Sequence, residues 1–307
     1  MILAKDLWQT ANMDNLLDIL SERRVIIADG AMGTMLFQRG LKPGDCPEKV
    51  NLEHPKIVEE ITRLYIEAGA EIVQTNSFGA SPQKLKPYHL ADSAEQINTA
   101  AVRIARKASQ GKAFIAASCG PSGRILKPYG DIEPEEIYAG FERQISALVS
   151  AGADMISIET MTDITEAKLA VKAARAVSPS IPISACMTFD STPKGFFTIR
   201  GVTIQQSAEQ LAEAGADIIG SNCGNGIDNM IAVAKQLRQF IVLPILIRSN
   251  AGIPRIEDGE AVYPETPEFM AARCRELIEL DVKIIGGCCG TTPAHITAIK
   301  RVVVNYR

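Results

Sequence analysis

The chain has 307 residues, of which 46% are hydrophobic and 22% charged, and its 32 basic and 36 acidic side chains leave a formal net charge of −4. That balance supplies no basic field for nucleic acid, and no run reaches the roughly 18–20 apolar residues that a membrane helix needs. Neither a nucleic-acid nor a membrane partner is expected, and a small-molecule partner is. The start MILAKDLWQT lacks the apolar core of an export signal, and seven cysteines without one read as reduced thiols in a cytoplasmic protein.

In chain order, residues 1–24 form a leader in which Leu16, Leu17, Ile19 and Leu20 predict an extra helix. The first apolar run, RVIIADG (24–30), predicts a strand. It is followed by HPKIVEEITRLYIEAG (54–69), where Ile57, Ile61, Leu64, Tyr65 and Ala68 fall at steps of three and four residues and predict a helix. From there a unit recurs four times, a helical pattern ending in a short turn that runs directly into an apolar strand: EAGAEIVQTN (67–76), SAGADMISIET (150–160), EAGADIIGSNCG (213–224) and ELDVKIIGGCCG (279–290). Between these lie three further strands, KAFIAASCG (112–120), IPISACMTFD (181–190) and LPILIRSNAG (243–252). Helical patterns also cover 94–108, 134–152, 165–177 and 207–215.

Strict alternation of strand and helix implies a parallel sheet, and eight units at this length match an α/β fold of the (β/α)8 TIM-barrel type. The rival, an open doubly wound sheet, loses ground because ADGAMGTM after the first strand has only Gly30 and Gly33, short of a dinucleotide fingerprint. No proline- or serine-rich linker divides the chain, so residues 1–307 are expected to form a single domain. The leader helix is then placed to plug the bottom of the barrel.

Barrel chemistry sits at the carboxyl ends of the strands. The sequence places there Asp29, Gly30 and Met32, then Asn76, then Ser118 and Cys119, then Glu159, then Thr188 and Asp190, then Asn222 and Cys223, then Asn250, and last Cys288 and Cys289. The sixth and eighth strands flank only the seventh, which lets Cys223 meet Cys288 and Cys289. Three thiolates with one position left open describe a catalytic zinc site. Redox pairing of the neighbouring Cys288 and Cys289 is disfavoured by the strained ring it would close. Buried inert thiols account for Cys186 and Cys274, Cys46 sits in a polar loop, and the role of Cys119 stays open.

The run DGAMGTML (29–36), VQTNSFGAS (73–81), IET (158–160), NCG (222–224) and GGCCGTTP (286–293) together resemble the homocysteine S-methyltransferase family, over about residues 22–304. Within it, DGAMGTM, NLEHP (51–55) and GCCGTTPAHI (287–296) are most similar to the homocysteine-binding module of cobalamin-dependent methionine synthases. The resemblance implies a zinc-containing barrel that methylates homocysteine to methionine, with Zn2+ on Cys223, Cys288 and Cys289. A thiol attacks only as thiolate, and coordination strips its proton at neutral pH, so no protein nucleophile is needed.

The substrate's ammonium calls for a carboxylate, with Glu159 first and Asp29 second, and its carboxylate for the backbone N–H groups around Gly30, Ala31 and Met32; these are the contacts the resemblance implies. Two readings stay open for Asn250, a substrate or metal contact and a turn residue, and two for Asn222, a residue orienting the Cys223 loop and a turn residue. The expected methyl donor is methylcobalamin carried by another corrinoid protein or module, since 307 residues leave room for neither a folate nor a corrinoid module. S-methylmethionine or S-adenosylmethionine is the alternative. Two further readings stand beside these: a zinc thiolate alkyltransferase for another thiol, and a non-catalytic zinc-stabilised barrel that docks a partner.

Overall fold

The computed structural model describes residues 16–22, 25–257 and 260–306. Eight strands form one parallel sheet: β1 Ile26–Ile27, β2 Ile72–Gln74, β3 Phe114–Cys119, β4 Met155–Met161, β5 Ile183–Met187, β6 Ile218–Cys223, β7 Ile245–Ser249 and β8 Val282–Gly287. Each pairs with its neighbour in the chain, and β1 pairs with β8. A bridge between Ala28 and Ile72 closes the ring, helped by hydrogen bonds from Glu71 N–H to Ile27 O (2.7 Å) and from Asp29 N–H to Ile72 O (3.0 Å). The strands meet as the TIM barrel expected from the alternation.

Helices wrap the sheet: α1 Leu16–Ser21, α2 Met32–Phe37, α3 Pro55–Ala68, α4 Ala94–Ser109, α5 Pro134–Ser150, α6 Ile164–Val177, α7 Ile204–Ala214, α8 Ile227–Phe240, α9 Pro267–Glu279 and α10 Pro293–Asn305. Local chemistry starts them where it should. Asp163 accepts from the N–H groups of Thr165 and Glu166 at α6, and Thr203 and Gln206 exchange capping bonds at α7, each satisfying donors a helix start leaves unpaired. Cys274 is buried on α9, as expected of an inert thiol.

Alternation along the strands sorts side chains between the barrel interior and the helical layer. Ile26, Ile72, Phe114, Met155, Ile218, Leu246 and Ile284 form an interior cluster at the amino-terminal ends, together with Leu16 and Leu20 of α1. The leader helix therefore packs into the bottom of the barrel, and burial of those two leucines is worth about 1.5–3 kcal/mol each. Residues 1–15 and 23–24 of the expected leader lie outside the described residues. Two hairpins were not anticipated, Asp190–Thr192 with Gly195–Phe197 after β5, and Arg255–Glu257 with Glu260–Val262 after β7. Their strands are three residues long, too short for a hydrophobic period to register.

Candidate metal centre and active site

β6 and β8 both pair with β7, and the register sets Cys223 and Gly287 opposite the same residue, Ser249. Cys288 follows immediately, so two strand ends deliver thiols to one level of the mouth. The sulfurs of Cys223, Cys288 and Cys289 all lie within 4.8 Å of one another, with Cys223 and Cys288 3.1 Å apart. The sulfur–sulfur edge of a tetrahedral zinc site with 2.3 Å arms is about 3.8 Å, so the trio fits such an ion. Among the described residues no other three metal-capable side chains come together. Hydrogen bonds with Cys223 and Cys288 pull the Cys289 thiol well below the ordinary range, while the bonds of Cys223 with Cys288 and Cys289 hold Cys223 far above it. The trio thus gives up its first proton readily and its last with difficulty, and a divalent cation is what removes the last.

The loops that carry the thiols are fixed by backbone and amide bonds. Cys288 N–H donates to Ser249 O at 2.7 Å. Asn250 spans both loops: its Oδ1 accepts from Cys289 N–H at 2.9 Å, and its Nδ2 donates to Gly224 O at 2.9 Å. Both ends of that amide are occupied, which favours the loop-holding reading of Asn250 over a metal contact. Thr291 Oγ1 donates to Cys288 O at 2.7 Å and accepts from Ala31 N–H at 3.2 Å, tying the first strand end to the eighth. Gly30 makes that approach possible, since a Cβ there would sit 2.7 Å from Thr291 Oγ1 and 2.8 Å from the Tyr65 ring. Gly290 has the same role on the other side, with φ +79° and the Tyr263 ring 2.1 Å from where a Cβ would lie.

Beneath the thiols the interior turns polar. Arg248, 4% exposed, pairs with Asp29 Oδ1 at 2.8 Å and donates to Gly287 O at 3.0 Å. Asp29 also accepts from Gln74 N–H at 2.8 Å. Burial pushes the Asp29 carboxyl up to about 6 against the pull of Arg248. Burial also opposes the charge of Arg248, yet Asp29 and Glu159 outweigh it and hold the guanidinium protonated. Glu159, 6% exposed, accepts through Oε1 from Gln74 Nε2 at 2.6 Å and from Ser118 Oγ. Burial raises its pKa, with Arg248, Ser118 and Gln74 opposing. Arg248 and Gln74 went unread in the sequence, although an arginine within LPILIRS and a glutamine ending EIVQ are polar interruptions of buried runs.

The sequence profile of a family described as homocysteine S-methyltransferase matches residues 26–303. The chain belongs to the homocysteine S-methyltransferase family. It is similar to the methionine synthases of Mycobacterium tuberculosis (strain ATCC 25618 / H37Rv; 33% identical over 95% of this chain and 26% of that protein) and Mycobacterium leprae (strain TN; 31% over 94% and 25%). The chain therefore spans about a quarter of those relatives. Among solved structures it resembles the homocysteine methyltransferase MmuM from Escherichia coli in its metallated form, with a TM-score of 0.78 and 25% identity over 94% of this chain and 99% of that one. The oxidized form of MmuM gives 0.77 and 26% over the same shares.

Within this family member the remaining strand-end residues divide by direction. Asn222, 1% exposed, exchanges hydrogen bonds with Thr160 beside the thiols, and Thr188 Oγ1 donates to Asn222 O at 3.0 Å. Asn76 instead holds loops, donating to Pro47 O and Asn51 Oδ1. Cys119 was expected at the mouth, but it faces the helical layer with Ile115 and Ala117, because its register position points away from the interior that Ser118 enters; burial pushes its thiol far up. Asp190 is exposed in the first hairpin. Met32 opens α2, whose start no side chain caps. A separate cavity of about 470 Å³ lies beside the mouth, lined in part by Leu36, Cys46, His54 and Tyr88; its Arg39 and Lys49 are already paired with Glu60 and Glu53.

Proposed function

We propose that this barrel methylates homocysteine to methionine with zinc held by Cys223, Cys288 and Cys289. The observation that carries the reading is the three-thiol cluster at the same strand ends as the buried Glu159 carboxylate, whose neighbour Thr160 is tied to the thiols through Asn222. When bound, zinc supplies a positive site at which a substrate thiol binds as thiolate at neutral pH. The chain does the rest. Glu159 Oε1 is engaged by Gln74 and Ser118, which orients Oε2 as the acceptor for the substrate's ammonium. Asp29 is committed to Arg248 and so shapes the field rather than taking the ammonium directly. Beside Gly30 and Ala31, whose N–H is taken by Thr291 Oγ1, the uncapped first turn of α2 from Met32 offers N–H groups to the carboxylate of the substrate. Asn222 and Asn250 act through the thiol loops.

The share of the relatives that the chain spans supports a reading of the methyl donor. That the chain matches a quarter of two methionine synthases supports a methylcobalamin donor held on a separate protein or module. The exposed apolar side chains of loops after β3, β5 and β7, Ile125, Tyr129, Ile199 and Ile256, give such a partner a surface to meet. A second reading rests on MmuM, whose whole chain the barrel covers: a barrel of this extent can be a complete homocysteine methyltransferase with a small donor such as S-methylmethionine or S-adenosylmethionine. Reduced zinc thiolates suit a cytoplasmic setting.

A donor screen tests both. Purified protein, zinc and homocysteine are incubated with methylcobalamin on a corrinoid protein, S-methylmethionine or S-adenosylmethionine, and methionine is measured. Methionine from the corrinoid arm alone supports the first reading, and methionine from a sulfonium arm moves the donor to the second. No methionine in any arm, with zinc bound, overturns the proposed activity.

A further inference from the structure

Two residues at the mouth adopt the left-handed backbone that side chains with a Cβ avoid: Thr160 (φ 59°) and Cys223 (φ 64°). For a β-branched residue that conformation is a genuine outlier, and each such position carries a cost that its surroundings must hold in place. Thr160 follows Glu159 on β4, where the register on β5 shifts between Ile158 and Met161. Cys223 is the last residue of β6. One side chain joins them. Asn222 Oδ1 accepts from Thr160 N–H at 2.7 Å, and Asn222 Nδ2 donates to Thr160 Oγ1 at 2.7 Å.

Those two bonds fix which way the amide points, since a backbone N–H can only donate and must face the oxygen. The nitrogen end then lies 3.7 Å from Cys288 Sγ and 3.9 Å from Cys223 Sγ. An amide NH2 has two hydrogens; Thr160 takes one and the sulfurs share the other. A thiolate only accepts, so this donor suits the charged form of both sulfurs.

We infer that Asn222 is a positioning residue which, braced on Thr160, holds the sulfurs of Cys223 and Cys288 in a metal-ready arrangement and donates an N–H to their charge. The inference rests on the proposed zinc-binding role of the trio and adds a coupling: the strand end that bears Glu159 also braces the metal ligands. Partners of this kind, one bond away from the metal, orient ligands and tune their charge.

The test measures zinc affinity by competition with a chromophoric chelator, on the full chain, alongside the sulfur-to-cobalt charge-transfer band of the cobalt-loaded protein. Asn222→Ala is expected to weaken zinc binding roughly 10–100-fold and to shift that band, because the sulfurs lose their donor. Thr160→Ala removes one of the amide's anchors and is expected to weaken zinc in the same direction, while Thr160→Ser keeps the hydroxyl and the parent's affinity. Folded Asn222→Ala with the parent's affinity and band overturns the inference. If Asn222→Ala does not fold, the Thr160 pair decides, and equal affinities in the two overturn it. A parent chain that binds no zinc overturns the proposed function as well, whereas tight zinc in both parent and Asn222→Ala removes this inference alone.

Discussion

At the bottom of the barrel the inward-facing positions are Ile72, Phe114, Met155, Ile218, Leu246 and Ile284, sealed by Leu16 and Leu20 of α1. Two or four residues further along the same strands, on the same face, stand Gln74, Ser118, Glu159, Asn222, Arg248 and Cys288. The strand geometry is identical, and the chemistry is inverted. The lower end removes apolar surface from water and contributes stability. The upper end buries charge, which costs folding energy unless every group is paired, and here Arg248 is set between Asp29 and Glu159. The difference shows how one barrel divides its residues along the strand axis, with apolar packing at one end and the candidate site at the other.

Substitutions at either end sharpen that contrast. The largest effect is expected from Cys288→Ser: methionine formation falls to background and bound zinc, measured by elemental analysis, drops, while the melting transition stays cooperative. Retained zinc and activity would separate the trio from the chemistry. Arg248→Met leaves the Asp29 and Glu159 carboxylates uncompensated and should cost about 3–5 kcal/mol in urea unfolding; an unchanged midpoint would mean that the buried pair is not braced as described. Leu20→Ala, at the opposite end, should cost about 2–5 kcal/mol yet leave zinc content and the KM for homocysteine unaltered below its lowered melting temperature. A changed KM there would break the division between the two ends. Glu159→Gln is the mildest, removing one charge-assisted bond to the ammonium, worth about 1.5–3 kcal/mol, or roughly 10–100-fold in kcat/KM. It should bind zinc normally, and a loss confined to zinc would reassign the residue.

The eight strands and the thiol trio were legible because they rest on local signals. Apolar runs bounded by turns mark strands whatever surrounds them, and the strand-end position of NCG and GGCCG needs only the alternation to be counted. The N-terminal plug was legible in the same way, from Leu16, Leu17, Ile19 and Leu20. What stayed hidden were partnerships. Asp29 reads from sequence as a substrate contact, but which carboxylate is free depends on Arg248, 219 residues away, and nothing local announces that pairing. Cys119 and Ser118 are adjacent letters, and only the register sends one into the helical layer and the other to Glu159.

By itself, then, the sequence determined the barrel, the strand-end positions of the three thiols and the carboxylate on β4, since each follows from periodicity and residue type along a short stretch. The tertiary structure alone decided that Asn250 spends its amide on the thiol loops, that Asn222 braces on Thr160 against two sulfurs, and that Asp29 belongs to Arg248. The physical reason is that hydrogen-bond partners are chosen by direction and distance in space, and those are set only when the ring of strands closes.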